Sequence, residues 1–163
     1  MFGKKKTTKK LKGDAAHQLR TDLLTGPAAQ VAPEGVDTSA VWLAAVETVK
    51  PEATITYMSL SDGTTTVIYS SGAGLEGLRD VDAVATASTE FVDVTSQTMD
   101  MLDKNNDLTL PERGMVRMYA RQGDDTYSAE SLEDIVAAGG HPLTPQYKKA
   151  LSVMKQVQLA ESR

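Results

Sequence analysis

Residues 53–71, ATITYMSLSDGTTTVIYSS, decide the predicted fold of this chain. Two runs rich in β-branched and aromatic residues lie on either side of Ser61, Asp62 and Gly63. Aspartate followed by glycine between such runs favours a tight turn, because that turn requires positive φ at its centre. The stretch therefore predicts an antiparallel β-hairpin.

A second hairpin is predicted for residues 114–131, GMVRMYARQGDDTYSAES. Val116, Met118 and Ala120 alternate with a second set of side chains, and this period of two is typical of a strand. The turn is expected between Gln122 and Asp125. Two tightly connected strand pairs indicate an antiparallel sheet rather than a parallel one.

Helical patterns separate and follow the hairpins. Residues 80–102 repeat apolar side chains at spacings of three and four, which predicts a long amphipathic helix. Residues 131–140 predict a short helix closed by two glycines, and residues 144–163 predict a terminal helix with Pro145 at its first position. These helices are expected to cover the sheet.

Residues 37–51, DTSAVWLAAVETVKP, also predict a helix, placed before the first hairpin. Val41, Ala45 and Val49 fall at helical spacing, and Pro51 prevents a helix from continuing. Trp42 is the single tryptophan of the chain, and on an apolar face it is expected to anchor the core.

The predicted fold class is therefore α+β, with an antiparallel sheet of two hairpins covered by helices. A chain of 163 residues with 40% hydrophobic residues suits one domain, which we place at residues 36–160. Residues 1–35 are interpreted as a basic tail and linker with a possible short helix, and residues 1–13 as disordered.

Charge is divided unevenly along the chain. The first 20 residues carry a net charge of +6 and the remainder −11, which together give −5. The tail suggests weak contact with nucleic acid or an anionic membrane, and the alternative is a flexible solvated arm. The lysines concerned are Lys4, Lys5, Lys6, Lys9 and Lys10. The chain lacks a long apolar run, so no transmembrane segment and a cytoplasmic location are predicted.

Gly72, Gly74 and Gly77 have the spacing G-x-G-x-x-G of a dinucleotide-binding loop. That loop works between a parallel strand and a helix, whereas the strand before these glycines belongs to the first predicted hairpin. Glu76 within the loop would also repel a phosphate. The favoured interpretation is that the glycines let the chain turn from a strand onto a helix, and no cofactor is predicted.

Asp103, Asn105 and Asp107 imitate the first, third and fifth positions of a calcium loop. The sixth position carries Leu108 instead of glycine, and the twelfth carries Gly114 instead of glutamate. A polar connection is therefore the preferred interpretation, and no metal is predicted.

No catalytic constellation emerges from the sequence. The chain has no cysteine, and its two histidines are His17 in the tail and His141 in the segment GGHPLTP. Without a nucleophile elbow beside it, His141 is expected to satisfy the loop between two helices.

The predicted order of elements resembles that of the roadblock and profilin-like proteins, which are mostly protein-interaction modules. The segments GTTTVIYSSGAG, LPERGMVRMYA and GGHPLTP are also similar to parts of a group of small bacterial proteins with no assigned activity. Together with the missing catalytic constellation, the strand-rich hairpins and the acidic body, this favours a non-catalytic protein-binding or regulatory module that meets a protein partner or forms a homodimer. The alternative is a small nucleotide-responsive domain or enzyme that uses the loop from Gly72 to Gly77.

Overall fold

A computed structural model describes residues 9–162 of the chain. The predicted contacts of Lys4, Lys5 and Lys6 therefore lie outside the described residues. The strands are β1 (Lys9–Lys12), β2 (Val41–Val49), β3 (Thr54–Leu60), β4 (Thr65–Tyr69), β5 (Ala73–Glu76), β6 (Asp103–Lys104), β7 (Met115–Gln122) and β8 (Asp125–Leu132). The α-helices are α1 (Asp14–Thr25), α2 (Ala28–Val31), α3 (Asp82–Gln97), α4 (Glu133–Ala138) and α5 (Thr144–Glu161).

The α+β fold class is confirmed. Eight antiparallel strands form one sheet in the order β1-β5-β4-β3-β2-β7-β8-β6. Both predicted hairpins are present, as β3–β4 and β7–β8, and the second one turns where Gln122 pairs with Asp125. The sheet extends beyond these two hairpins because β2 joins them in its centre.

Helices cover both faces of the sheet. Helices α3 and α5 pack on one face, where Phe91 and Val153 are buried against strand residues such as Val46 and Met118. Helices α1 and α2 pack on the other face through Leu24 and its neighbours. The predicted long helix and terminal helix are confirmed as α3 and α5. None of the described helices combines the length and apolar character that crossing a membrane requires.

The helix predicted for residues 37–51 is wrong, because the structure has strand β2 there. All but the last residue of β2 is buried, since each face of this central strand lies under helices. A strand buried on both faces is a continuous apolar run, which periodicity cannot distinguish from a buried helix. Trp42 is nevertheless fully buried, as expected of a core anchor, and its Nε1 donates to the carbonyl of Gly123 over 3.0 Å.

The N-terminal segment differs from the sequence-based expectation at residues 9–12. These residues form β1, which pairs with β5 at one edge of the sheet. The expected short helix is present as α1. It packs on the sheet, because Ala16, Leu23 and Leu24 are buried in the same apolar cluster as Trp42. Lysines on β1 suit an edge strand, since charged side chains discourage further strand pairing.

Candidate functional site

A buried polar cluster lies on the face of the sheet that α1 covers. Its centre is Glu47 on β2, whose side chain is fully buried. Oε2 accepts a hydrogen bond from the Thr56 hydroxyl over 2.6 Å, and Oε1 accepts one from the Tyr119 hydroxyl over 2.7 Å. A buried carboxylate needs such partners, because its desolvation is costly.

Arg20 of α1 supplies the opposite charge. Its Nε and Nη2 both lie 2.6 Å from Oε2 of Glu47, and Nη2 also donates to the carbonyl of Leu108 over 3.1 Å. The Arg20 side chain is only 11% exposed. The ion pair therefore fixes α1 and the loop at Leu108 relative to the centre of the sheet.

The cluster continues from Tyr119 towards β8. Nη1 of Arg117 donates to the Tyr119 hydroxyl over 3.2 Å, and Nη2 lies 3.3 Å from the carboxylate of Glu130. Burial raises the pKa of Tyr119, and the charge of Glu47 raises it further. Burial opposes the charge of Arg117, but its hydrogen bond to Tyr119 and the nearby carboxylates hold its pKa above the ordinary value. Tyr119 therefore remains a neutral donor to Glu47.

Strand β8 borders this cluster. The edge of β8 that faces away from β7 is only partly paired. Among the described strands, only β6 pairs with that side, at Tyr127 and Ser128, and Asn105 adds a bond from its amide to the carbonyl of Thr126 over 2.9 Å. Backbone groups in a strand alternate in direction with a period of two. Those of Glu130 therefore face outward like those of Thr126, and so does the amide of Leu132, whose carbonyl lies at the N-cap of α4 and accepts the first bond of that helix. We call residues 130–132 the open edge.

Apolar and acidic side chains surround the open edge. Leu132 is 50% exposed and Ile135, on α4, is 51% exposed. Residues 129–138 carry the carboxylates of Glu130, Glu133 and Asp134 and no basic residue. The hydroxyl of Tyr147 donates to Oε2 of Glu133 over 2.7 Å, which fixes this carboxylate in place.

The candidate cofactor glycines have structural roles. Gly72 has φ 101°, and a Cβ there would lie 3.2 Å from the Cα of Gly13, between β1 and α1. Gly74 lies in β5, where a Cβ would be 2.8 Å from the carbonyl oxygen of Val67. Gly77 has φ 92° and precedes a single 3₁₀ turn. The predicted turn onto a helix holds for Gly77, whereas Gly72 permits close approach of Gly13 and Gly74 permits close approach of β4.

The amides of this loop are engaged by the backbone. Gly72 donates to the carbonyl of Tyr69 over 2.9 Å, and Gly77 donates to that of Thr65 over 3.1 Å. Gly74 lies in the ladder between β1 and β4. A phosphate cradle requires converging amides, and the loop does not form one.

The candidate calcium ligands do not converge either. Asp103 lies in β6 opposite Ser128. Oδ1 of Asn105 accepts from the amide of Asp107 over 2.8 Å, and Oδ1 of Asp107 accepts from the amide of Thr109 over 2.9 Å. Each of these two side chains thus stabilises its own turn. Within residues 9–162, no cluster of three or more acidic or histidine side chains is placed to hold a metal ion.

His141 has the structural role expected from the sequence. Its Nδ1 accepts from the amide of Leu143 over 3.0 Å, and its Nε2 lies 3.3 Å from the hydroxyl of Ser131. An accepting Nδ1 leaves the proton on Nε2, so the ring donates to Ser131. The histidine therefore links the end of β8 to the loop before α5.

Sequence reasoning missed the polar cluster. Glu47 lies in the run that was assigned to a helix, and Arg20 lies in the predicted tail. The available signal was a single carboxylate inside the apolar run VWLAAVETV, because a charge in a buried strand requires a partner.

No protein-family model, curated protein or solved structure matches this chain.

Proposed function

We propose that this chain is a non-catalytic protein-interaction module that binds an extended basic segment of a partner protein along the open edge. The observation that carries the proposal is the outward backbone of Glu130 and the outward amide of Leu132, alongside which no described strand lies. An added strand gains main-chain hydrogen bonds from such an edge, and side-chain contacts make the binding specific.

Side chains at the open edge define the chemistry of the partner. Exposed Leu132 and Ile135 suit an apolar residue of the added strand. Glu133 and Asp134 favour lysine or arginine near it, and Glu130 adds a third carboxylate, which Arg117 already pairs. The expected occupant therefore alternates apolar and basic residues.

Two of these carboxylates are already held in place. Arg117 holds Glu130 from the cluster side, and Tyr147 holds Glu133 from α5. A binding group that is fixed beforehand loses little conformational entropy when the partner arrives. The edge is thus a pre-organised acidic and apolar surface.

The test uses two synthetic peptides of ten residues, one alternating Lys and Val and the other alternating Glu and Val. Fluorescence anisotropy measures their affinity, and NMR chemical-shift changes map their position. We expect the basic peptide to bind with shifts concentrated in residues 128–135. The double variant Leu132→Lys/Ile135→Lys should weaken this binding at least tenfold, because it removes the apolar contact and adds repulsion.

Leu159→Lys provides the matched control, since Leu159 is 47% exposed on α5, outside the open edge. Its affinity for the basic peptide should equal that of the unmodified protein. Equal binding of the acidic peptide, or undiminished binding by the double variant, would overturn the proposal. A dimer in sedimentation that the double variant dissociates would assign the edge to a second copy instead.

A further inference from the structure

A cavity of about 250 Å³ opens between α1 and the strands beneath it. Helix α1 contributes His17, Arg20 and Thr21 to its wall, and the sheet contributes Thr54 and Ser70. We call this cavity the α1 pocket. Sites for drug-sized ligands are commonly about 300–1,000 Å³, so the α1 pocket, which is smaller, suits only a small ligand.

Arg20 is the charged group of the α1 pocket. Its Nε and Nη2 are occupied by Glu47 and the carbonyl of Leu108, which fix the guanidinium plane. Its Nη1 donates to no residue within the described part of the chain. A planar guanidinium with one edge anchored and one nitrogen free is a pre-organised donor for an acceptor group of a ligand.

The rest of the lining defines the ligand further. The pocket's lining contains no carboxylate, so a bound anion meets no like charge at the surface of the cavity. Threonine and serine hydroxyls add neutral polar groups. Ile68 and the 46% exposed Leu110 add an apolar surface. The combination suits a molecule with one anionic head and a short apolar body.

The carboxylate of Glu47, which lies behind Arg20, limits how much negative charge the head group of the ligand can carry. Glu47 already neutralises the guanidinium from the buried side. A dianionic phosphate would place more negative charge near Glu47 than one shared guanidinium balances. A monoanionic carboxylate adds one negative charge instead of two, so Glu47 repels it less than it repels a phosphate.

We infer that the α1 pocket binds a small aliphatic carboxylate, with the guanidinium of Arg20 as its anchor and with Ile68 and Leu110 contacting its apolar body. This inference goes beyond the proposed partner binding, because it concerns α1 and the ends of β3 and β4 rather than the open edge of β8.

Hexanoate is the probe for this inference, and hexanamide, hexylamine and hexyl phosphate are its comparators. Isothermal titration calorimetry on the full chain measures affinity, and NMR chemical shifts report position. We expect hexanoate to bind at least tenfold more tightly than each comparator and to shift the resonances of Arg20, Thr54 and Ser70. The amide comparator has the same shape without the charge, so it isolates the contribution of Arg20.

Leu110→Glu is the principal variant, because it places a carboxylate at an exposed wall of the pocket without removing a core residue. It should weaken hexanoate binding at least tenfold, and Leu159→Glu on α5 should leave the affinity unchanged. Arg20→Lys keeps a positive charge but lacks Nη1, and it should also lose binding. Equal affinity for hexanamide, or unchanged affinity in Leu110→Glu, would overturn the inference. Tighter binding of hexyl phosphate would overturn the preference for a carboxylate.

Discussion

Tyr119 on β7 and Glu47 on β2 meet inside the sheet, where the tyrosine hydroxyl donates to Oε1 of the glutamate over 2.7 Å. The carboxylate accepts from Arg20 and Thr56 on its other oxygen. One buried charge thus links the two central strands with α1. The stability that is lost when each partner of Glu47 is removed can be measured separately.

Tyr119→Phe should make stability less sensitive to alkaline pH. The folded-state pKa of Tyr119 is raised by burial above the ordinary value of 10.0. Its contribution to stability is therefore complete below about pH 10 and falls as the pH rises towards the folded-state pKa. Urea unfolding between pH 8 and pH 11 should show a smaller decrease for the variant than for the unmodified protein. Parallel decreases would contradict the assignment.

At neutral pH the same Tyr119→Phe substitution should lower the free energy of unfolding by about 1–3 kcal/mol, because Oε1 of Glu47 loses its donor. The measurement is urea unfolding at pH 7, followed by fluorescence of Trp42. A variant as stable as the unmodified protein would indicate that another group replaces the hydroxyl.

Arg20→Met should lower the free energy of unfolding by about 3–5 kcal/mol, because it leaves the buried charge of Glu47 without its ion-pair partner. The double variant Arg20→Met/Glu47→Leu is the control, since it removes both charges and should recover most of the loss. Chemical unfolding of the four proteins gives the coupling energy. Additive effects of the two substitutions would show that the ion pair is not an energetic unit.

Gly74→Ala should push β5 away from β4 and thereby loosen the N-terminal strand β1, which pairs with β5. A Cβ at this position would lie 2.8 Å from the carbonyl oxygen of Val67 and 3.3 Å from Cδ1 of Leu11. We expect a loss of about 1–3 kcal/mol from overpacking and faster trypsin cleavage within β1. Gly35 has φ +82°, and a Cβ added there would meet open space. Gly35→Ala therefore measures the effect of backbone strain alone. Its cleavage rate within β1 should remain unchanged, and equal acceleration in both variants would refute the packing explanation.

Arg121→Lys should loosen the C-terminal end of α1. The guanidinium donates to the carbonyl of Leu23 over 2.9 Å and to that of Asp124 over 3.0 Å, and it lies 4.8 Å from the centre of the Trp42 ring. Lysine cannot supply this planar pair of donors, so we expect a loss of about 2–3 kcal/mol from the two charge-assisted bonds. Fluorescence of Trp42 should also shift to the red. Unchanged emission would show that the contact persists.

Local signals were sufficient for much of this fold. The Asp62–Gly63 turn and the alternation around Met118 identified two hairpins, and apolar spacing identified α3 and α5. The strand β2 could not be recognised, because burial on both faces hides the alternation of a strand. Pairing between β1 and β5 depends on a partner more than 60 residues away, which no local pattern encodes.

The candidate site was even less predictable. Arg20, Glu47 and Tyr119 are far apart in sequence, and only Glu47, as a single carboxylate in an apolar run, stands out in its own segment. Their meeting depends on the register of β2 with β7 and on the position of α1. A motif search finds neighbours in sequence, whereas these three residues belong to two strands and to helix α1.

The central position of β2 also has a consequence for synthesis of the protein. Its partner β7 begins at Met115, so an emerging chain holds β2 with one side unpaired until most of the sequence has been translated. Contacts between such distant segments form slowly, and an unpaired apolar strand is prone to aggregate in the meantime. Translation speed between β3 and β7 and chaperone supply should therefore influence the yield of native protein.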